Sequence, residues 1–244
     1  MLDPLYTYAE EHTAEPDEAG PDQRLRLSAL FLLLQRAAMH HSDELGAGYG
    51  AMLEKNLLWV IVRQRAEIAR LPHIGERLTV RTCPGETMHM LFPRYYELAA
   101  EGGEILAAGT SLWTLIHADT RKMAFSGEHR IALPGCRNDK GLISALKTPT
   151  GRPSDFFSYT AAYSDLDFNG HMNNTRYFDM AEDRVPGLAG AEVREVSVEY
   201  AAEIRPGETV TVGWSREGNT FLLSGGRDGA RKFSMFLRTD AAAK

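Results

Sequence analysis

Between Ser164 and Asn174 a carboxylate, an amide and an imidazole stand at every second position: Asp167, Asn169 and His171, separated by Phe168 and Gly170. An extended chain puts three such side chains on one side. Asn173 or Asn174 follows as a natural helix N-cap, and a helix start offers unpaired N–H groups. Together these groups can activate water and stabilise an oxyanion. The same residue types also build a plain polar capping turn held by Asx hydrogen bonds. Spacing alone leaves both readings open.

The periodicities around this run supply a scaffold. Leu27, Leu30, Leu34, Ala37, Ala38 and His41 recur at three- and four-residue steps, which predicts a helix from about Leu25 to Leu45 with one buried face. Gly46, Gly48 and Gly50 end it. Strands are expected at Leu57 to Arg63 with Arg65 to Ile68 continuing, then at Leu78 to Cys83, Phe92 to Ala99 and Ile105 to His117. Leu5 to Tyr8 can form a short strand before a loop rich in Pro, Gly and acids. From Ala118 to Asp155 periodicity is lost among prolines and glycines, which marks a linker.

The order then repeats. A helix is predicted over Asn173 to Val185, then strands at Glu195 to Ile204, Thr209 to Trp214, Thr220 to Ser224 and Arg231 to Thr239. The letters repeat too: Ala66-Glu67-Ile68, Pro72 and Gly75-Glu76 parallel Ala202-Glu203-Ile204, Pro206 and Gly207-Glu208. Two helix-on-sheet units follow, an α+β arrangement.

At this point a resemblance becomes specific. The run Asp167-Phe168-Asn169-Gly170-His171-Met172-Asn173-Asn174, with Tyr177 after it, resembles the signature of acyl-acyl-carrier-protein (acyl-ACP) thioesterases, and the chain looks like the bacterial type. Leu34 through Gly48 and Ile68 through Pro72 support it, so the likeness spans roughly 20–240. It implies a double hotdog, each half wrapping a sheet around a long helix. The expected division is an N-terminal hotdog at 1–135 that shapes the acyl pocket, a linker at 136–155 and a catalytic C-terminal hotdog at 156–244.

The family's catalytic residues fall on Asp167, Asn169, His171 and, in Glu199-Tyr200-Ala201-Ala202-Glu203, on Glu203. Where plant members place a cysteine after that glutamate, this chain has Ile204, so the implied chemistry is water attack on a thioester without a thiolate nucleophile. Glu203 and His171 are the candidates for base and polarising group; spacing does not say which takes the proton. Asn169 can orient water or substrate, and Asp167 can orient His171. Asn173, Asn174, Met39, Met88 and Met90 are the expected substrate-binding residues, with Trp59 and Leu91 as further candidates for the tunnel. Met180, standing where a tryptophan is common, implies an altered pocket wall.

Composition bounds the remaining classes. With 244 residues, the chain is long enough to bury a sizeable core. Residues 1–22 hold Asp3, Glu10, Glu11, Glu15, Asp17, Glu18 and Asp22 with no Lys or Arg, which leaves the rest close to neutral. No basic face of the nucleic-acid-binding type is expected. The apolar run Ala29 to Leu34 is too short to span a bilayer. No signal or transit pattern opens the chain, so the expected location is cytoplasmic, with Cys83 and Cys136 as free thiols. His40, Asp43 and Glu44 lack metal-ligand spacing, and neither metal nor cofactor is expected. The implied partner is an acyl carrier protein bearing a fatty acyl chain, and Arg137, Lys140, Lys147 and Arg152 form either a basic patch for it or a solvated loop. A homodimer is compatible with the sequence. An acyl-CoA thioesterase and a non-catalytic acyl-thioester-binding hotdog stand as alternatives. A hotdog dehydratase is disfavoured by the Asn-x-His-x-Asn-Asn string.

Overall fold

Leu27, Leu30, Leu34, Ala37, Ala38 and His41 do form one buried face, on a helix that spans Leu27–Glu44 (α1). The structure, a computed structural model, describes residues 2, 5, 7–125, 131–136 and 147–240. In chain order the elements are β1 (Tyr8–Thr13), α1, α2 (Tyr49–Leu53), β2 (Leu57–Ile68), β3 (Arg77–Pro84), β4 (Phe92–Ala100) and β5 (Ile105–His117). Then come β6 (Asp155–Thr160), α3 (Arg176–Arg184), β7 (Val193–Tyr200), β8 (Thr209–Glu217), β9 (Thr220–Arg227) and β10 (Ala230–Thr239).

The strands make one antiparallel sheet in the order β1-β3-β4-β5-β2-β7-β10-β9-β8-β6. Each strand of the second half takes the place of its counterpart in the first, so the order reads alike from either end. The halves join where β2 pairs with β7, with Arg63 opposite Glu199 and Arg65 opposite Ser197. Ion pairs lace this seam: Arg63 to Glu199 at 3.0 Å and Arg65 to Glu195 at 2.7 Å. One apolar core runs through both halves, and Phe31 of α1 stacks on Phe178 of α3 at 4.3 Å. The two units thus share a core as well as a sheet edge.

Several elements differ from the sequence reading, each for a local reason. The first strand is Tyr8–Thr13, not Leu5 to Tyr8. As an edge strand paired on one side only, it tolerates charge, and its acids find partners: Glu10 with His40 at 2.7 Å, Glu11 with the Thr79 hydroxyl at 3.0 Å. That contact also accounts for His40. β6 begins at Asp155, where the stretch read as aperiodic ends, and is the opposite edge, paired with β8. The helix expected from Asn173 starts at Arg176, because Asn173 is spent on a capping turn. The glycines after α1 interrupt the chain only briefly before α2. Linker residues 137–146, with Arg137 and Lys140, lie outside the described residues. Among the described residues no helix is long and apolar enough to cross a membrane.

The expectation of free thiols is corrected. Cys83 and Cys136 form a disulfide across 53 residues of sequence, with their Cα atoms 6.8 Å apart. The backbone brings them together: Cys136 N–H donates to the Pro84 carbonyl at 2.9 Å, and both cysteines are buried beside Leu2 and Tyr95. Nothing in a 53-residue separation signals this from sequence. Because the bond closes a long loop, replacing both cysteines by serine should lower the unfolding free energy by ~2–4 kcal/mol. Denaturant titration checks it, and an unchanged midpoint in the variant and in the reduced parent would refute it.

Candidate active site

The Asp167–His171 run is a tight turn rather than an extended segment. Leu166 and Met172 pair as an antiparallel bridge, and between them Asp167 N–H donates to the His171 carbonyl at 2.9 Å. Gly170, at φ +78°, supplies the left-handed residue that closes the turn. The Asp167 carboxylate accepts the N–H of Asn169 at 2.9 Å and that of His171 at 3.4 Å. Its hydrogen bonds therefore shape the loop backbone, and it orients His171 through that backbone. This is an Asx turn, and it also presents Asn169 and His171 toward a cavity. The two readings left open by spacing coexist.

Glu203 reaches the same place because β7 stops early. Ala201 and Ala202 both donate their N–H to the Lys232 carbonyl, at 2.8 and 3.1 Å, so the chain leaves the regular ladder. Met172 N–H then donates to the Ile204 carbonyl at 2.9 Å, which clasps the turn to this segment. The neighbours of those two residues meet as a result: His171 Nε2 lies 3.0 Å from Glu203 Oε2. Arg121, from the turn after β5, holds the other carboxylate oxygen. Lys232 braces the segment, donating to the Glu203 carbonyl at 2.7 Å and pairing with Glu208 at 2.9 Å. In the first half β2 continues through Glu67, so the equivalent glutamate stays on the sheet with an exposed side chain.

A cavity of about 840 Å³ runs from this cluster into the first half. Asp167, Asn169, His171, Asn174 and Glu203 line it from the second half, with Tyr177 and Tyr200. Met39, Met52, Trp59, Ile61, Phe92 and Trp113 line it from the first. Tyr49 and Phe168 meet edge to face at 5.2 Å across the two halves. Of the expected binding residues, Met39 and Asn174 are in the wall. Met88 and Met90 are not: they sit in the β3–β4 connection, where Met88 pairs with Leu91 and is 49% exposed. Asn173 turns its amide oxygen to the N–H and hydroxyl of Thr175, both at 2.9 Å. Met180 is buried in the shared core and not in the cavity wall.

Arg121 and Arg94 are among the lining residues missed from sequence. Arg121 falls in the stretch read as aperiodic. Arg94 carried a signal: it alternates with Phe92, Tyr96 and Leu98, so it occupies an apolar-face position of β4. It is 4% exposed. Its guanidinium donates to His41 Nδ1 at 3.1 Å, the Ser42 hydroxyl at 3.1 Å and the Thr82 hydroxyl at 3.4 Å. Ser42 and Thr82 give their own hydrogens to the carbonyls of Ala38 and Tyr95, which leaves lone pairs for Arg94. Burial, then the adjacent Arg94 charge, push His41 down to about 4, so it stays neutral and accepts; Tyr8 stacks on it at 5.5 Å.

This histidine makes stability depend on pH. Between pH about 6.5 and about 4 the unfolded chain takes a proton at His41 that the folded protein does not. The stabilisation is complete above that window and is lost as pH falls through it. His41→Asn keeps an acceptor for Arg94 without a titrating ring, so its unfolding free energy should fall less from pH 7 to pH 4.5 than the parent's. Parallel slopes in the two proteins would exclude His41 as the source.

Comparison with known proteins agrees with this architecture. Residues 6–129 match the family model for the acyl-ACP thioesterase N-terminal domain, and residues 151–230 match that for the C-terminal domain. A chloroplastic palmitoyl-acyl carrier protein thioesterase of Gossypium hirsutum is 29% identical over 203 residues, 76% of this chain and 49% of its own. A dodecanoyl-[acyl-carrier-protein] hydrolase of Cinnamomum camphora is 28% identical, covering 76% and 53%. The chain spans about half the length of these plant relatives. In fold it resembles an acyl-ACP thioesterase from Bacteroides thetaiotaomicron, at TM-score 0.82 and 24% identity over 98% of this chain and 100% of that one. The 12:0-ACP thioesterase of Umbellularia californica superposes at TM-score 0.81 with 22% identity, over 99% of each chain. The double hotdog, two clasped repeats around one cavity, thus has close architectural counterparts, and with both family domains matched in order this chain belongs to the acyl-ACP thioesterase family.

Proposed function

We propose that this chain hydrolyses the thioester between a fatty acyl chain and acyl carrier protein, releasing the free fatty acid. The observation that carries this reading is the 3.0 Å contact between His171 Nε2 and Glu203 Oε2 in the wall of a cavity lined mostly by apolar side chains further on. Water adds its oxygen to the thioester carbon, the C–S bond breaks, and the sulfur leaves as a thiol. A thiolate is a good leaving group, so the site has to place water, take its proton and hold the oxyanion. Glu203 and His171 form the proton-handling pair. The Asn169 side chain, without a hydrogen bond to any described residue, orients water or the carbonyl. Asp167 keeps the turn in shape. The disulfide ties up both cysteines of the chain, which supports water rather than a thiolate as nucleophile. On this reading the second half supplies the polar groups and the first half shapes the acyl pocket.

The donor is assigned to acyl carrier protein because relatives of both halves carry that name. The test is thiol release from a panel of acyl-ACP and acyl-CoA substrates of varied length. Faster turnover of the ACP thioesters is expected. Turnover of CoA thioesters alone would overturn the donor, and binding of acyl thioesters without thiol release would overturn the hydrolase.

A further inference from the structure

Arg94 is a cation held in the wall of the acyl cavity by neutral groups only. Among the described residues no carboxylate pairs with it. Asp43 and Glu44, in the same turn of α1 as its partners, make no ion pair with it. The C-terminal turn of α1 contributes partial negative charge near His41 and Ser42, which offsets part of the burial. The guanidinium has more N–H groups than its bonds to His41, Ser42 and Thr82 use. An apolar tunnel for a plain alkyl chain has no use for such a group, since a buried charge without a counter-charge is costly. The surrounding bonds hold its orientation, as a binding group requires.

Its place in the sheet is distant from the hydrolytic cluster. Counting β4, β5, β2 and β7 across the sheet order, Arg94 lies three strand steps from the strand that leads into Glu203. At the usual interstrand spacing that is roughly 14 Å. Arg94, His171 and Glu203 line the same cavity, so a chain whose thioester sits at His171 and Glu203 and that is long enough to cross this span can place its other end at Arg94.

We propose that Arg94 binds the far end of the acyl chain, and that the preferred chain ends in a carboxylate rather than a methyl group. This rests on the hydrolase reading above for the identity of the near end. A carboxylate accepts two parallel N–H bonds from a guanidinium and supplies the missing negative charge. Hydrolysis then releases a dicarboxylic acid.

The test compares thioesters of α,ω-dicarboxylic acids with methyl-ended thioesters of equal chain length, on the same carrier, across a length series. At the best length, kcat/KM should favour the carboxylate end by ~10-fold or more. Arg94→Gln should erase that ratio, and Arg94→Lys should restore part of it. Calorimetric binding of the free diacid against the matched fatty acid needs no catalysis and no variant. Tighter binding of the diacid supports the subsite even if no thioester is cleaved, in which case the hydrolase reading alone fails. Cleavage of methyl-ended thioesters together with no preference for the diacid, in rate or in binding, leaves the hydrolase standing and overturns the subsite.

Discussion

Glu203→Gln and His171→Ala should each lower kcat/KM on the preferred thioester by ~10²–10⁴-fold, the scale of a lost general acid or base. The two side chains touch at 3.0 Å, and both line the cavity. Neither is a core residue: the side chain of Glu203 is 35% exposed and that of His171 21%, so both variants should fold. Glutamine keeps the shape of Glu203 and removes the charge that faces His171 and Arg121. Because the two residues act as a unit, the double variant should be scarcely slower than the worse single one. Glu67→Gln is the internal control, since the repeat places Glu67 where the second half has Glu203, yet its side chain lies on the sheet away from the cavity. It should stay within about twofold of the parent, a surface change of ordinary size. Near-parental rates in either site variant would remove that residue from the mechanism.

The contrast between Glu67 and Glu203 also shows what a sequence of this kind reveals and withholds. Apart from the edge strand β6, the strands from Leu57 onward were legible because their apolar positions face inward. The helices α1 and α3 were legible from their three- and four-residue steps, whereas the short α2 was not. Glu203 was found through its neighbours in the resembling motif, not through any property of its own: Ala-Glu-Ile occurs in both halves. What separates the two copies is the loss of the ladder at Ala201 and the clasp from Met172 to Ile204, both backbone events. The turn at Asp167–His171 was left open for a related reason. Alternation of Asp167, Asn169 and His171 with Phe168 and Gly170 is compatible with an extended segment and with a capping turn, and only the backbone at Gly170 decides between them. The edge strands β1 and β6 escaped because an edge position carries charge and exposed aromatics at little cost. The disulfide depends on where two distant segments end up, which two cysteines do not encode.

Substitutions in the first-half wall should change which chain length is hydrolysed best, the second large effect expected here. Ile61 of β2 and Met39 of α1 line the cavity from opposite elements, while His171 and Glu203 belong to the other half. Ile61→Ala opens space and should move the optimum to longer chains. Met39→Trp fills space and should move it to shorter ones. One methylene gained or lost in such a pocket is worth ~1–3 kcal/mol, so the ratio of rates on neighbouring lengths should change by ~10–200-fold. Ile61 is only 5% exposed, and its truncation should also cost ~2–4 kcal/mol of stability, so its rates are best read well below the unfolding transition. Met39 is 40% exposed and carries no such burden. Met88→Trp is the control that separates a pocket effect from a general one. Met88 was expected in the pocket from its residue type, but its position in the β3–β4 connection puts it outside the wall, so this variant should keep the parent's length profile. A profile that shifts with Met88 but not with Met39 or Ile61 would move the selector out of this cavity. Uniform loss at every length in the Met39 and Ile61 variants would leave the first half a scaffold and send the search for the selector to Tyr177 and Tyr200 in the second.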